Sequence, residues 1–97
     1  MENQFAAVHE IYTEVVNVMK EIENQKKTVE QKRVWYDHYR LKVTKMTNKA
    51  SSSNKLQDKF RRNQGKLEKS TNEYQEEQNV LLAIVEGIYV KRQTILE

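Results

Sequence analysis

Asp37 sits in VWYDHYRLKV, residues 34–43, among Trp35, Tyr36 and Tyr39, with Arg40 three positions on. A carboxylate among aromatic side chains can serve as a general acid or base, or as a metal ligand. Each role needs partners: a second titratable group within reach of the same proton, or further donors around one ion. No second carboxylate stands at a suitable spacing, and His38 stands alone. On a helix, Arg33 four residues before Asp37 and Arg40 three after it are its neighbours. Asp37 and Arg40 are therefore expected to form a structural ion pair beside a packed Tyr36. His9 and His38 are far apart and belong to no His-x3-His pair or Glu-x-x-His motif. Glu73, Glu76 and Glu77 can share a helix face, where basic residues such as Lys69 are better partners than a metal. Ser51, Ser52 and Ser53 have no base placed to activate a hydroxyl, although they can accept phosphate, which would cut the positive charge around them. The expectation is a protein without catalysis, cofactor, metal site or small-molecule substrate.

What holds these residues is helical. Ninety-seven residues limit the chain to one domain, 1–97. There is no proline and only two glycines, 32% of residues are charged, and that bias favours long helices over sheet. The absence of cysteine removes disulfides and thiolate chemistry and fits a reducing, cytoplasmic setting. The opening MENQFAAVHE has no basic leader before an apolar run, so it does not read as a signal peptide. The longest apolar run, VLLAIV at 80–85, is too short to span a bilayer.

Every seventh residue from Val8 to Ala50 (Val15, Ile22, Val29, Tyr36, Val43 between them) is apolar or aromatic, and Phe60, Leu67, Tyr74, Leu81, Ile88 and Ile95 repeat the pattern. A period of seven sustained this long marks coiled-coil packing. The stretch TNKASSSNK between the two tracts is rich in small and polar residues and reads as the turn. The predicted architecture is all-α: a helix over about 4–48, a turn at about 49–54 and a helix over about 55–96, folded as an antiparallel hairpin. Ser53 or Asn54 is a candidate cap for the second helix, with Asp58 in its first turn. Mirrored about the serine run, Val43 faces Phe60, Tyr36 faces Leu67 and Val29 faces Tyr74.

Apolar residues and charges are both unevenly spread. Residues 26–69 hold fourteen Lys/Arg against four acids, a surplus of ten, while the rest of the chain carries a net −7. The cations Lys42, Lys45, Lys49, Lys55, Lys59, Arg61, Arg62 and Lys66 gather around the turn. The open end carries Val8, Ile11, Val15, Val18, Ile22, Leu81, Ile84, Val85, Ile88 and Ile95, and the helix over 80–85 is apolar nearly all round. Such a helix needs cover on more than one side, most simply from a second copy in a twofold homodimer. A rod with a sticky base and a basic tip is suited to joining at one end and touching a polyanion with the other. An anionic phospholipid membrane and a nucleic acid both qualify, and a plain oligomerisation coiled coil is the remaining reading. Trp35 and Tyr39 are expected to serve packing rather than a membrane interface.

The run KKTVEQKRVWYDHYRLKV resembles the second long helix of BAR domains of the amphiphysin and endophilin type, with Tyr36, Asp37, Arg40 and Val43 on the family's pattern. NQGKLEKSTNEYQEEQNVLLAIVEGIYVKRQTIL is similar to the family's third helix, with Glu73-Tyr74 leading to a leucine-rich segment and Lys91-Arg92 at its basic pair. The resemblance covers roughly residues 26–97 and corresponds to the distal arm: the end of helix two, the tip loop and the start of helix three. It implies a dimeric helical scaffold, peripheral to the membrane, that senses or induces curvature. Where family members often carry a proline that bends the third helix, this chain has Gly87, which permits a bend without imposing one.

Overall fold

The computed structural model describes the backbone of residues 2–47 and 53–96 and the side chains of 4–47 and 53–91. Within these bounds the chain is two long helices, α1 (Glu2–Thr47, 46 residues) and α2 (Asn54–Leu96, 43 residues). They lie antiparallel along a rod of 78 × 21 × 14 Å. Lys49, Ser51 and Ser52, and the side chains of Arg92 and Ile95, fall outside the described residues.

Ser53 is the cap of α2. Its Oγ accepts the Leu56 N–H at 3.1 Å, and its carbonyl accepts the Gln57 N–H at 3.0 Å, the first rung of the helix. Asp58 lies beyond that first turn, which holds no acid, so the expected dipole contact is not made there. At the other side of the loop, Lys45 in the last turn of α1 complements the partial negative charge of that helix end. Gly87 has an ordinary helical backbone, and α2 runs through it without interruption.

Three contacts fix the register. Gln25 meets Glu77, Lys32 meets Glu73, and Tyr39 meets Lys66. Their sequence midpoints fall between residues 51 and 53, at the serine run. Along each helix the shielded residues recur at alternating three- and four-residue steps, as a coiled-coil seam requires. One series is the apolar one: Ile22, Val29, Tyr36 and Val43 on α1, Phe60, Leu67, Tyr74, Leu81 and Ile88 on α2, all half-buried. The second is Val18, Gln25, Lys32, Tyr39 and Met46 on α1, facing Leu56, Asn63, Ser70, Glu77 and Ile84 on α2.

That second series is polar through its middle, and the sequence pattern of apolar residues passes over it. Asn63 and Ser70 are the two most buried side chains described, at 4% and 5% exposure. Ser70 Oγ donates within its own helix, to the carbonyls of Lys66 and Leu67, and Asn63 Nδ2 donates to the Lys59 carbonyl at 2.8 Å. Gln25 Nε2 reaches across the seam to the Glu77 carboxylate at 2.7 Å and to its backbone carbonyl at 2.9 Å. Polar residues at seam positions cost stability and can specify register; here the bond that a slip would break is that of Gln25 to Glu77, since Asn63 and Ser70 bond within their own helix.

No hydrophobic side chain among the described residues is buried. Two helices side by side shield only one stripe each. The deficit is greatest at the open end, where Phe5 is 79% exposed and Tyr12 67%, with Val8, Ile11, Val15 and Met19 also exposed on α1 and Leu82, Val85, Tyr89 and Val90 on α2. Of the expected base residues, Val18, Ile22, Leu81, Ile84 and Ile88 are partly covered by the facing helix; Val8, Ile11, Val15 and Val85 are not.

Candidate functional site

The cations near the loop are presented outward. Lys45, Lys55, Lys59, Arg61, Arg62 and Lys66 are exposed and Lys42 is half-buried. Among the described residues none of the seven forms an ion pair. At helical spacing, Lys55, Lys59, Arg62, Lys66 and Lys69 make a continuous row along α2 at steps of four and three.

Farther along α1, Lys32, Arg33 and Arg40 are engaged. Arg33 donates through Nε to Glu30 at 2.9 Å, and a second bond from its Nη2 makes the contact two-pronged. Its Nη1 reaches Asp37 at 2.7 Å, and Arg40 Nη2 approaches the other Asp37 oxygen at 3.5 Å. Asp37 is thus tied to Arg40, as expected, and more closely to Arg33. The hydrogen bond from Arg33 holds the Glu30 carboxyl below its usual value of 4.5, and the same bond strengthens the hold of Arg33 on its proton.

Of the acids of α2, one pairs with a lysine and one with an amide. Glu73 pairs with Lys32 across the seam at 3.3 Å rather than with Lys69, and Glu77 accepts from Gln25. Among the described residues no cluster of three His, Cys, Asp or Glu side chains is arranged to hold a metal ion. No helix among the described residues is long and apolar enough to cross a membrane.

Trp35 departs from its expected packing role: it stands 54% exposed, outside the seam. Its ring stacks on Tyr39 at 6.0 Å between centroids, with the planes 20° apart, and meets His38 edge-on. From α2, Lys66 Nζ lies 5.9 Å from the centre of the Tyr39 ring, within reach of a cation–π contact. Trp35, Tyr39 and Lys66 line a shallow open cleft of about 330 Å3 together with Lys32, Lys69, Ser70 and Glu73. Ser70 is the buried residue of that lining. The aromatic signal of the cleft is readable in the sequence; its exposure is not.

Comparison with protein-family models, curated proteins and solved structures finds no match to the chain.

Proposed function

We propose that the chain is a membrane-binding structural module of BAR type, acting as a homodimer joined through its apolar open end. Its basic loop end binds anionic phospholipid, and the paired rods sense or induce curvature. The mechanism is electrostatic scaffolding and involves no chemistry. The carrying observation is the segregation among the described residues: outward cations without ion pairs at the loop end and exposed apolar side chains at the other. Each Lys or Arg near an anionic surface contributes about 1 kcal/mol, so the seven described cations suffice for reversible attachment. The open end supports the dimer, since apolar surface left wet forfeits about 25 cal/mol per Å2. The resemblance of residues 26–97 to the BAR family supports the same reading, with a peripheral position at the cytoplasmic side of a membrane as part of the proposal.

Sedimentation of the full chain with vesicles of rising phosphatidylserine content, at low and high salt, tests this reading. Binding is expected to rise with anionic lipid and to fall as salt screens the charges. An RNA that binds at moderate salt while vesicles do not would instead make the chain a nucleic-acid-gripping arm. Binding to neither would leave an oligomerisation coiled coil.

A further inference from the structure

The two flanks of the hairpin are chemically different. In an antiparallel pair, the positions bordering the seam on one side of α1 meet the corresponding positions of α2 and make one flank; those on the other side make the opposite flank. One flank carries Trp35 and Lys42 from α1 and Lys59 and Lys66 from α2, with Arg62 and Lys69 just outside them. None of these five cations forms an ion pair among the described residues. The opposite flank carries Arg33 and Arg40, whose charges are spent on Glu30 and Asp37, with Lys26 and Arg61 as its cations outside any ion pair among the described residues. The five cations without an ion pair named on the Trp35 flank outnumber the two, Lys26 and Arg61, on the other.

We infer that the hairpin lies on the membrane by its Trp35 flank, with the Trp35 indole at the headgroup level and Lys59, Arg62, Lys66 and Lys69 against anionic headgroups. The inference rests on the membrane-binding reading and adds which side of the rod makes contact. An indole has an apolar body and one polar N–H and favours the bilayer–water boundary. Trp35 is 54% exposed beside a row of unpaired cations, and its stack on Tyr39 holds it there instead of folding it into the seam. The cleft beneath it is shallow and open, suited to a broad charged surface more than to a threaded strand.

The chain has a single tryptophan, so its fluorescence reports this flank alone. The full chain is titrated with phosphatidylserine vesicles, with and without lipids brominated near the headgroup. Sedimentation is compared for two triple variants of equal charge change: Lys59→Glu/Lys66→Glu/Lys69→Glu on the Trp35 flank, and Lys26→Glu/Arg40→Glu/Arg61→Glu on the other. Blue-shifted emission, quenching by the brominated lipid and a loss of partitioning on the order of 100-fold in the first variant only support the inference. Helicity by circular dichroism checks that both variants fold, and Trp35→Phe, which leaves the charges intact, is expected to weaken binding several-fold as an independent measure. If vesicles bind but the emission stays put and both triple variants lose equally, the flank assignment is overturned while membrane binding stands. If the unmodified chain does not bind vesicles at all, both fall; Trp35 quenching by single-stranded RNA in that case assigns the flank to nucleic acid instead.

Discussion

Tyr36 of α1 and Tyr74 of α2 meet ring to ring across the hairpin, their centroids 5.5 Å apart and their planes 31° from parallel. In a simple mirror pairing, Tyr36 faces Leu67 and Tyr74 faces Val29, one heptad away. Side chains on a helix lean toward its N-terminus. In an antiparallel pair that lean carries Tyr36 away from the loop and Tyr74 toward it, so the two rings converge from adjacent layers. The contact therefore depends on direction as well as register, and it ties two layers of the seam together.

Truncating either ring should expose that coupling. Tyr36→Ala is expected to lower stability by about 2 kcal/mol, and a double-mutant cycle with Tyr74→Ala to give a coupling of about 1 kcal/mol. Tyr36→Phe, which keeps the ring, is expected to cost less than about 0.5 kcal/mol. Urea unfolding followed by circular dichroism measures all three. Additive single effects would show that the rings do not interact.

Gly65 lies exposed within α2, and a Cβ built there meets nothing within 4 Å. Gly65→Ala is expected to raise stability by about 1 kcal/mol, which for a chain of this size is a melting-temperature increase of about 4–8 °C. A decrease in melting temperature would mean that another surface approaches this face closely.

Acid should act on the Glu30–Arg33 contact in a defined direction. The folded Glu30 carboxyl titrates below its ordinary value of 4.5, so its stabilisation is fully present above that value and is lost as pH falls through the folded one. Carbon-13 NMR titration of the Glu30 carboxyl is expected to show the low midpoint, and Arg33→Gln to move it back up. A midpoint unaffected by that substitution would mean the contact is not maintained in solution.

Ile11 and Val85 are 56% and 47% exposed in the hairpin alone, so neither contributes much to its own packing. Ile11→Glu with Val85→Glu should be well tolerated by an isolated hairpin and should break a dimer built on the open end. Light scattering is expected to give two chains for the unmodified protein and one for the variant, with a lower melting temperature. A single chain in both would remove the proposed homodimer.

The hairpin is legible in the sequence because one seam position per heptad is apolar throughout, from Ile22 to Val43 and from Phe60 to Ile88. Of the serine run, Ser53 is described and caps α2, while the turn expected at about 49–54 falls largely outside the described residues. Half of the seam is hidden because Gln25, Lys32, Asn63, Ser70 and Glu77 look like solvent-facing residues until the facing helix is in place. The candidate site follows the same division. The gathering of cations near the loop can be counted along the chain, whereas the difference between engaged Arg33 and unpaired Lys59, Lys66 and Lys69 depends on which carboxylates come within reach. Trp35 is the clearest case: a large aromatic residue reads as packing by type, and its position just outside the seam leaves it exposed.

Charge reversal at the loop end addresses the membrane assignment most directly. The chain carrying Lys55→Glu, Lys59→Glu, Arg61→Glu and Arg62→Glu is sedimented with phosphatidylserine-rich vesicles beside the unmodified chain, with helicity checked by circular dichroism. Partitioning of the variant is expected to fall by at least ~100-fold with helicity unchanged. A variant that stays helical and pellets as well as the unmodified chain would contradict binding through the basic end.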